Sequence, residues 1–144
     1  MRMPRWTGST ASGYAAYNRD HDVQWGDEIL TLSADPAFRG DSALPNPEEL
    51  LLAAAASCQL LSVLAVAALA KVDVVSYVDD ARAVMPAGSD PVRITRIDLA
   101  PRITVRDADA ATVIALAHEA HEGCYIANSL SAEVVVAPIV EVVS

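Results

Sequence analysis

NPEELLLAAAASCQLLSVLAVAALAK, residues 46–71, is the stretch on which the fold turns. Its first four residues form an unusually complete helix start. Asn46 is a capping residue, Pro47 suits the first helical position, and Glu48 and Glu49 favour the positive end of the helix dipole. Glu49 stands three residues after Asn46, the spacing at which the two bond reciprocally in a capping box. Glu48 is left spare. From there to about Lys71 the spacing predicts one long helix, apolar from Leu50 to Ala70 except at Ser57, Gln59 and Ser62. Such a segment is long enough to cross a bilayer. It is rich in alanine, carries three polar groups mid-segment and has no basic flank beyond Lys71. The expectation is a buried core helix, apolar all round as at the centre of an oligomer, with no membrane involved.

Elements of other kinds lie on either side. Asp22–Trp25 and Glu28–Leu32 read as short strands around a Gly26-Asp27 turn, followed by a loop over Ala34–Pro45. Beyond the helix, Ser76–Met85 and Val92–Arg106 read as a hairpin around the Pro- and Gly-containing turn of residues 86–91, with Pro101 marking a bulge or a change of partner. Asp107 is the expected cap of a second helix from about Ala108 to Glu122, ended by Gly123. Ser131–Val143 reads as a last strand. No linker or repeat interrupts this order, so the chain is expected to form one α+β domain over residues 1–144.

Composition narrows the function. The 144 residues carry 19 acidic and 10 basic side chains, a net charge of −9, with no basic stripe for nucleic acid or an anionic membrane. The stretch Met1–Trp25 has no apolar block typical of an export signal, so the cytoplasm is the expected compartment. Two cysteines without such a signal do not make a structural disulfide framework.

Chemistry therefore rests on few residues. Cys58 sits mid-helix on a face with Leu51, Ala54, Ala55, Leu61 and Ala65, buried or nearly so. It lies about three turns from the helix start, where the dipole supplies little. A reactive thiolate at that place needs a cation brought to it; Arg19 and Arg39 lie in loop-like segments ahead of the helix, and Glu48 is suited to hold an arginine by a bidentate ion pair. Cys124 follows the helix-ending Gly123. On residues alone both cysteines read first as small, inert core hydrophobes, and nothing local links them. His118-Glu119-Ala120-His121-Glu122 is one residue short of the zinc protease spacing and reads as a solvated helix face. No metal site or cofactor is expected.

Two longer motifs resemble a known family. Asn46-Pro47-Glu48-Glu49-Leu50-Leu51 with Ala53–Ala56, Ser57 and Cys58 is similar to the long-helix signature of the OsmC/Ohr family, the osmotically inducible protein C and organic hydroperoxide resistance proteins. His121-Glu122-Gly123-Cys124-Tyr125-Ile126-Ala127-Asn128-Ser129 resembles its second signature, as found in the OsmC-like subgroup. Tyr17-Asn18-Arg19-Asp20-His21 and Phe38-Arg39-Gly40-Asp41 resemble that subgroup too. The resemblance implies antiparallel sheets packed around a long central helix, an intertwined homodimer, and sites at the subunit interface. It implies Cys58 as the peroxidatic and Cys124 as the resolving cysteine, Glu48 as the active-site glutamate, and Arg39 or Arg19 as the activating arginine. The implied activity is reduction of organic hydroperoxides, with a lipoyl protein or another external dithiol as reductant. A dimeric binding protein for a small apolar ligand, or a redox-sensing thiol protein, would carry the same residues. Gln59 departs from the histidine frequent at its place in this subgroup.

Overall fold

The computed structural model describes residues 4–144, so the first three residues of the stretch read for an export signal lie outside it. The chain forms two compact units, Met1–Leu51 and Leu52–Ser144.

In the first unit, β1 (His21–Trp25) and β2 (Glu28–Leu32) pair antiparallel around Gly26, whose φ of 63° is the left-handed turn conformation that glycine adopts freely. A 3-10 turn at Pro36–Phe38 follows, capped by Asp35 Oδ1, which accepts from the Ala37 N–H at 2.7 Å. Helix α1 (Pro47–Leu69) then starts as expected. Asn46 Oδ1 accepts from the Glu49 N–H at 2.9 Å, and Glu49 Oε2 accepts from the Asn46 N–H at 3.1 Å.

The second unit is one long three-stranded ribbon cut across its middle. β3 (Asp73–Asp79), β6 (Pro101–Arg106) and β8 (Ile139–Val143) form one sheet; β4 (Arg82–Val84), β5 (Arg96–Leu99) and β7 (Glu133–Val136) form the other. Each expected strand is thus two strands in different sheets. The β3–β6 and β4–β5 pairs are antiparallel, as a hairpin requires, while β5–β7 and β6–β8 are parallel. The switch falls at Pro101, which changes partner rather than forming a bulge; the bulge lies on β3 between Val74 and Ser76. At the cut the Ala100 N–H is taken by Asp79 Oδ1 at 2.8 Å, a side chain standing in for a lost ladder acceptor.

Helix α2 (Ala110–Glu122) starts two residues later than expected. Its cap is Asp109, whose Oδ2 accepts from Thr112 N–H and Oγ1, both at 2.8 Å. Asp107 is unsuited to the role, because its backbone is left-handed (φ 47°) and its N–H bonds the Val143 carbonyl at the end of the β6–β8 pair. Gly123 ends α2, with an ordinary φ of −90°.

Two apolar clusters share α1. Ala55 packs with Ile97, Leu99 and Val136 over the β4–β5–β7 sheet, and Val63 packs with Ile103, Val105, Val113, Ala117 and Ala120 between the other sheet and α2. Burying each Ile, Leu or Val contributes roughly 1.5–3 kcal/mol. Only Ala55, Gln59, Val63 and Ala67 of α1 are fully buried, a stripe with a step of four residues. The helix therefore departs from the expectation of burial all round: within the chain, 22% of its most apolar window (mean hydropathy 2.2) is covered, and Leu61, Leu64 and Leu69 are exposed.

Burial pushes the Asp79 carboxyl pKa up and the nearby Asp80 charge adds to it, against the pull of the Ala100 N–H. A raised folded-state pKa stabilises the fold below the ordinary carboxylate range, and that contribution is lost as pH rises through the folded value. Asp79→Asn keeps an oxygen for Ala100 and removes the charge. Urea denaturation at pH 7.5 should show a small gain in stability that vanishes as pH falls toward the ordinary carboxylate range. A loss of stability at pH 7.5 would mean that the ionised carboxylate itself holds the cut.

Candidate functional site

Gln59 lies on the buried stripe between the two clusters, at the level where the ribbon is cut. It is wholly buried, and its Nε2 donates to the Ala117 carbonyl of α2 at 2.9 Å. This bond fixes α1 against α2. Cys58, one residue round the helix, is thereby held at the flank of the stripe, half-buried where it was expected to be buried or nearly so; Leu61 and Ala65 beside it are exposed.

The end of α2 brings the second cysteine to the first. Cys124 is 1% exposed, with its N–H on the His121 carbonyl at 3.1 Å and its carbonyl accepting from Asn128 N–H at 3.0 Å. This turn directs successive amides at sulfur. The Ala127 N–H reaches Cys124 Sγ at 3.5 Å with full hydrogen-bond geometry. The Ile126 and Tyr125 N–H groups, the Cys124 thiol and the Ser62 hydroxyl each act on Cys58 in the direction that favours its thiolate. Both cysteines are free thiols.

The two thiols are driven apart in acidity. Burial pushes Cys58 up, but the Ile126 amide, the Cys124 thiol, the Tyr125 amide and Ser62 together outweigh it, so its pKa falls below the ordinary thiol value. Burial also raises Cys124, and donating its proton to Cys58 raises it further, against the Ala127 and Ile126 amides. Of the pair, Cys58 is thus the more acidic thiol and Cys124 the one that keeps its proton longer as pH rises. Low pKa and access are what make a cysteine nucleophilic. Access is supplied by a cavity of about 470 Å³ over Cys58, walled by Leu61, Ser62, Ala65 and Tyr125 among others.

The structure thus brings Cys58 and Cys124 together. Arg19, Arg39 and Glu48 belong to the first unit. The Arg19 guanidinium donates to the Tyr14 and Tyr17 carbonyls and lies over both rings, 4.8 and 4.0 Å from their centres. Arg39 is exposed at the end of the 3-10 turn with φ 67°, and its side chain has no hydrogen bond or ion pair among the described residues; neither has the side chain of Glu48. His118 is exposed and His121 half-buried, and among the described residues no His, Cys, Asp or Glu cluster is arranged for a metal ion. Sequence reading missed the donors at Cys58. Ser62 was visible as a hydroxyl one helical turn after the cysteine, but the amides of Tyr125 and Ile126 leave no side-chain signal.

Ser62→Ala removes one donor to the sulfur and should raise the Cys58 pKa. The pH midpoint of Cys58 alkylation by iodoacetamide, followed by mass spectrometry of its peptide, reads this directly. An unmoved midpoint would remove Ser62 from the site.

The sequence model of a family described as OsmC-like protein matches residues 40–138 of this chain. Among solved structures, an OsmC-like protein of unknown function from Vibrio cholerae shares 28% identity at TM-score 0.84, over 95% of this chain and 96% of its own. An organic hydroperoxide resistance protein OsmC from Legionella pneumophila shares the fold at 20% identity and TM-score 0.65, over 96% and 95% of the two chains. Another organic hydroperoxide resistance protein, from Elizabethkingia anophelis, shares it at 18% identity and TM-score 0.69, over 85% and 89%. A comparison with curated proteins finds no match. With a family match spanning most of its length and both cysteine motifs inside it, the chain belongs to the OsmC-like protein family.

Proposed function

We propose that this protein is a thiol peroxidase that reduces organic hydroperoxides to alcohols, with Cys58 as nucleophile and Cys124 as resolving thiol. The observation that carries this reading is the opposite push that the two cysteines exert on each other's acidity, with the lowered pKa on the one that lines the cavity. Cys58 thiolate attacks the distal peroxide oxygen; the S–O bond forms as O–O breaks, and the leaving alkoxide takes up a proton as the alcohol. The Cys58 sulfenic acid then condenses with the Cys124 thiol, forming the disulfide and releasing water. An external dithiol, such as a lipoyl protein, returns both cysteines to thiols by exchange and is itself oxidised.

The donors around Cys58 already favour the thiolate, so an arginine's task is narrower than activation from nothing. It would stabilise charge on the departing oxygen as well as on sulfur. Arg39 is the better candidate, held by Glu48 as the family resemblance implies, because Arg19 is already engaged by two carbonyls and two tyrosine rings. The protein would work as a homodimer, the second copy covering exposed leucines of α1.

Thiol titration after one equivalent of cumene hydroperoxide should show rapid loss of both thiols. Cys58→Ser should abolish consumption, and Cys124→Ser should consume one equivalent and stop at a sulfenic acid. Arg39→Ala should slow the first step by roughly 10- to 100-fold, the loss of one charged hydrogen bond of about 1.5–3 kcal/mol, and Arg19→Ala by much less. Two unreacted thiols in the parent protein would rule out the peroxidase and leave a binding or sensing role.

A further inference from the structure

Helix α2 follows the Arg106 end of β6 and packs back over the same sheet, its buried Val113, Ala117 and Ala120 against Ile103 and Val105. Thirteen residues of helix and six of strand each span about 20 Å, so the end of α2 returns to the level of Pro101. Cys124 continues the buried stripe of α2 there. On β3 the residues opposite Ile103 and Pro101 are Tyr77 and Asp79, so both point to the side of the sheet that α2 covers. Tyr77 packs against the same apolar cluster, and Asp79 takes the Ala100 N–H with one oxygen. Tyr77 Oη and Asp79 Oδ2 remain, both buried and both without a partner among the described residues. They are closed off inside a single chain, so their setting does not wait on a second copy.

A buried hydroxyl without a partner calls for a reason. Burial pushes the Tyr77 phenol pKa well up, and the charges of Asp79 and Cys124 push it further. Tyr77 is therefore a neutral O–H donor at working pH, within electrostatic reach of both groups. We propose that Tyr77 is the hydrogen-bond donor reserved for Cys124 in the resolving step, with Asp79 Oδ2 as the competing acceptor for the same proton. The proposal rests on the peroxidase reading for the step it serves, and on the topology of β3, β6 and α2 for its placement. In the reduced pair the Cys124 thiol donates to Cys58 and takes nothing from Tyr77. Once Cys58 is a sulfenic acid, Cys124 gives up its proton, and Tyr77 donates to the forming thiolate, directly or across one water. The Cys124 sulfur attacks the Cys58 sulfur, S–S forms as S–O breaks, and hydroxide leaves with that proton as water.

The test titrates Cys124 in a full-length Cys58→Ala background, whose neutral side chain stands in for the oxidised partner, by the carbon-13 shift of labelled cysteine Cβ. Tyr77→Phe keeps the ring and should lower the Cys124 acid dissociation constant about 10-fold, the loss of one hydrogen bond to a charged group. Asp79→Asn should raise it, and that effect should vanish in the Tyr77→Phe background. His121, whose Nδ1 is buried without a partner three residues before Cys124, is present throughout and cancels from each comparison. With both cysteines in place and one equivalent of cumene hydroperoxide, Tyr77→Phe should accumulate dimedone-trapped sulfenic acid. Its disulfide should form about 3-fold more slowly at neutral pH, because a more basic thiolate regains part of the loss as nucleophilicity. The pH at which that rate levels off should move up. An unmoved Cys124 titration in Tyr77→Phe overturns the proposal; where that variant does not fold, an unmoved titration in Asp79→Asn overturns it. A shifted titration with no hydroperoxide consumed by the parent would sink the peroxidase reading and keep the donor. Disulfide formation in the parent with the titration unmoved would do the reverse.

Discussion

The bond from Gln59 to the Ala117 carbonyl is the constraint on which the second unit's chemistry depends. It joins residues 58 apart in the chain, on the two helices that carry or lead to the cysteines, and it is wholly buried. A buried amide of this kind cannot slide: displacing it leaves a donor and an acceptor without partners, at about 1–3 kcal/mol for each stranded group. Apolar residues alone would let two alanine-rich helices shift against each other by a fraction of a turn at small cost. With Gln59 in place, Cys58 stands on one side of the junction, Cys124 arrives seven residues after Ala117, and the two sulfurs meet.

The cut in the ribbon serves the same end. A continuous three-stranded sheet would offer one surface to α1, whereas two sheets let the helix lay Ala55 on one cluster and Val63 on the other. Gln59 falls between them, at the one level where α1 turns from β5 and β7 to β6 and α2. A backbone carbonyl there takes the Gln59 Nε2–H, while its Oε1 is buried with no partner among the described residues.

Much of this was legible in the sequence, and what was not has a common cause. Local signals read well: Asn46 and Glu49 cap α1 reciprocally, Gly123 ends α2, and the Gly26 turn closes β1 and β2. Signals that need a partner from elsewhere in the chain read poorly. Pro101 announced a bulge or a change of partner, and only the partners from elsewhere in the chain decide for the second. Asp109 capped α2 instead of Asp107 because Val143, far along the chain, holds the Asp107 N–H. Cys58 reads as buried or nearly so because its helical neighbours are apolar, and it is half-buried, since only every fourth residue of α1 is fully covered within the chain. The family motifs supplied the pairing of Cys58 with Cys124, which spacing alone could not.

The acidity of Cys58 sharpens what the mid-helix position demands. Far from the helix start the dipole gives a thiolate little, so a cation seemed obligatory. The turn after Gly123 meets part of that demand with peptide groups: the amides of Tyr125 and Ile126 converge on one sulfur while the next, Ala127, reaches the other. Successive N–H groups in a turn form a concavity for negative charge, and here the same turn holds the thiol meant to donate. The arrangement has a consequence for the cycle. In the proposed cycle, burial and the proton that Cys124 donates to Cys58 would keep Cys124 a thiol until Cys58 is oxidised. Conversion of the thiolate to a neutral sulfenic acid removes the charge that raised the Cys124 pKa, and the amides of Ala127 and Ile126 are then left to stabilise the second thiolate. On the proposed reading, one turn of backbone would set the order of the two steps, and a cation would serve chiefly the bond that breaks.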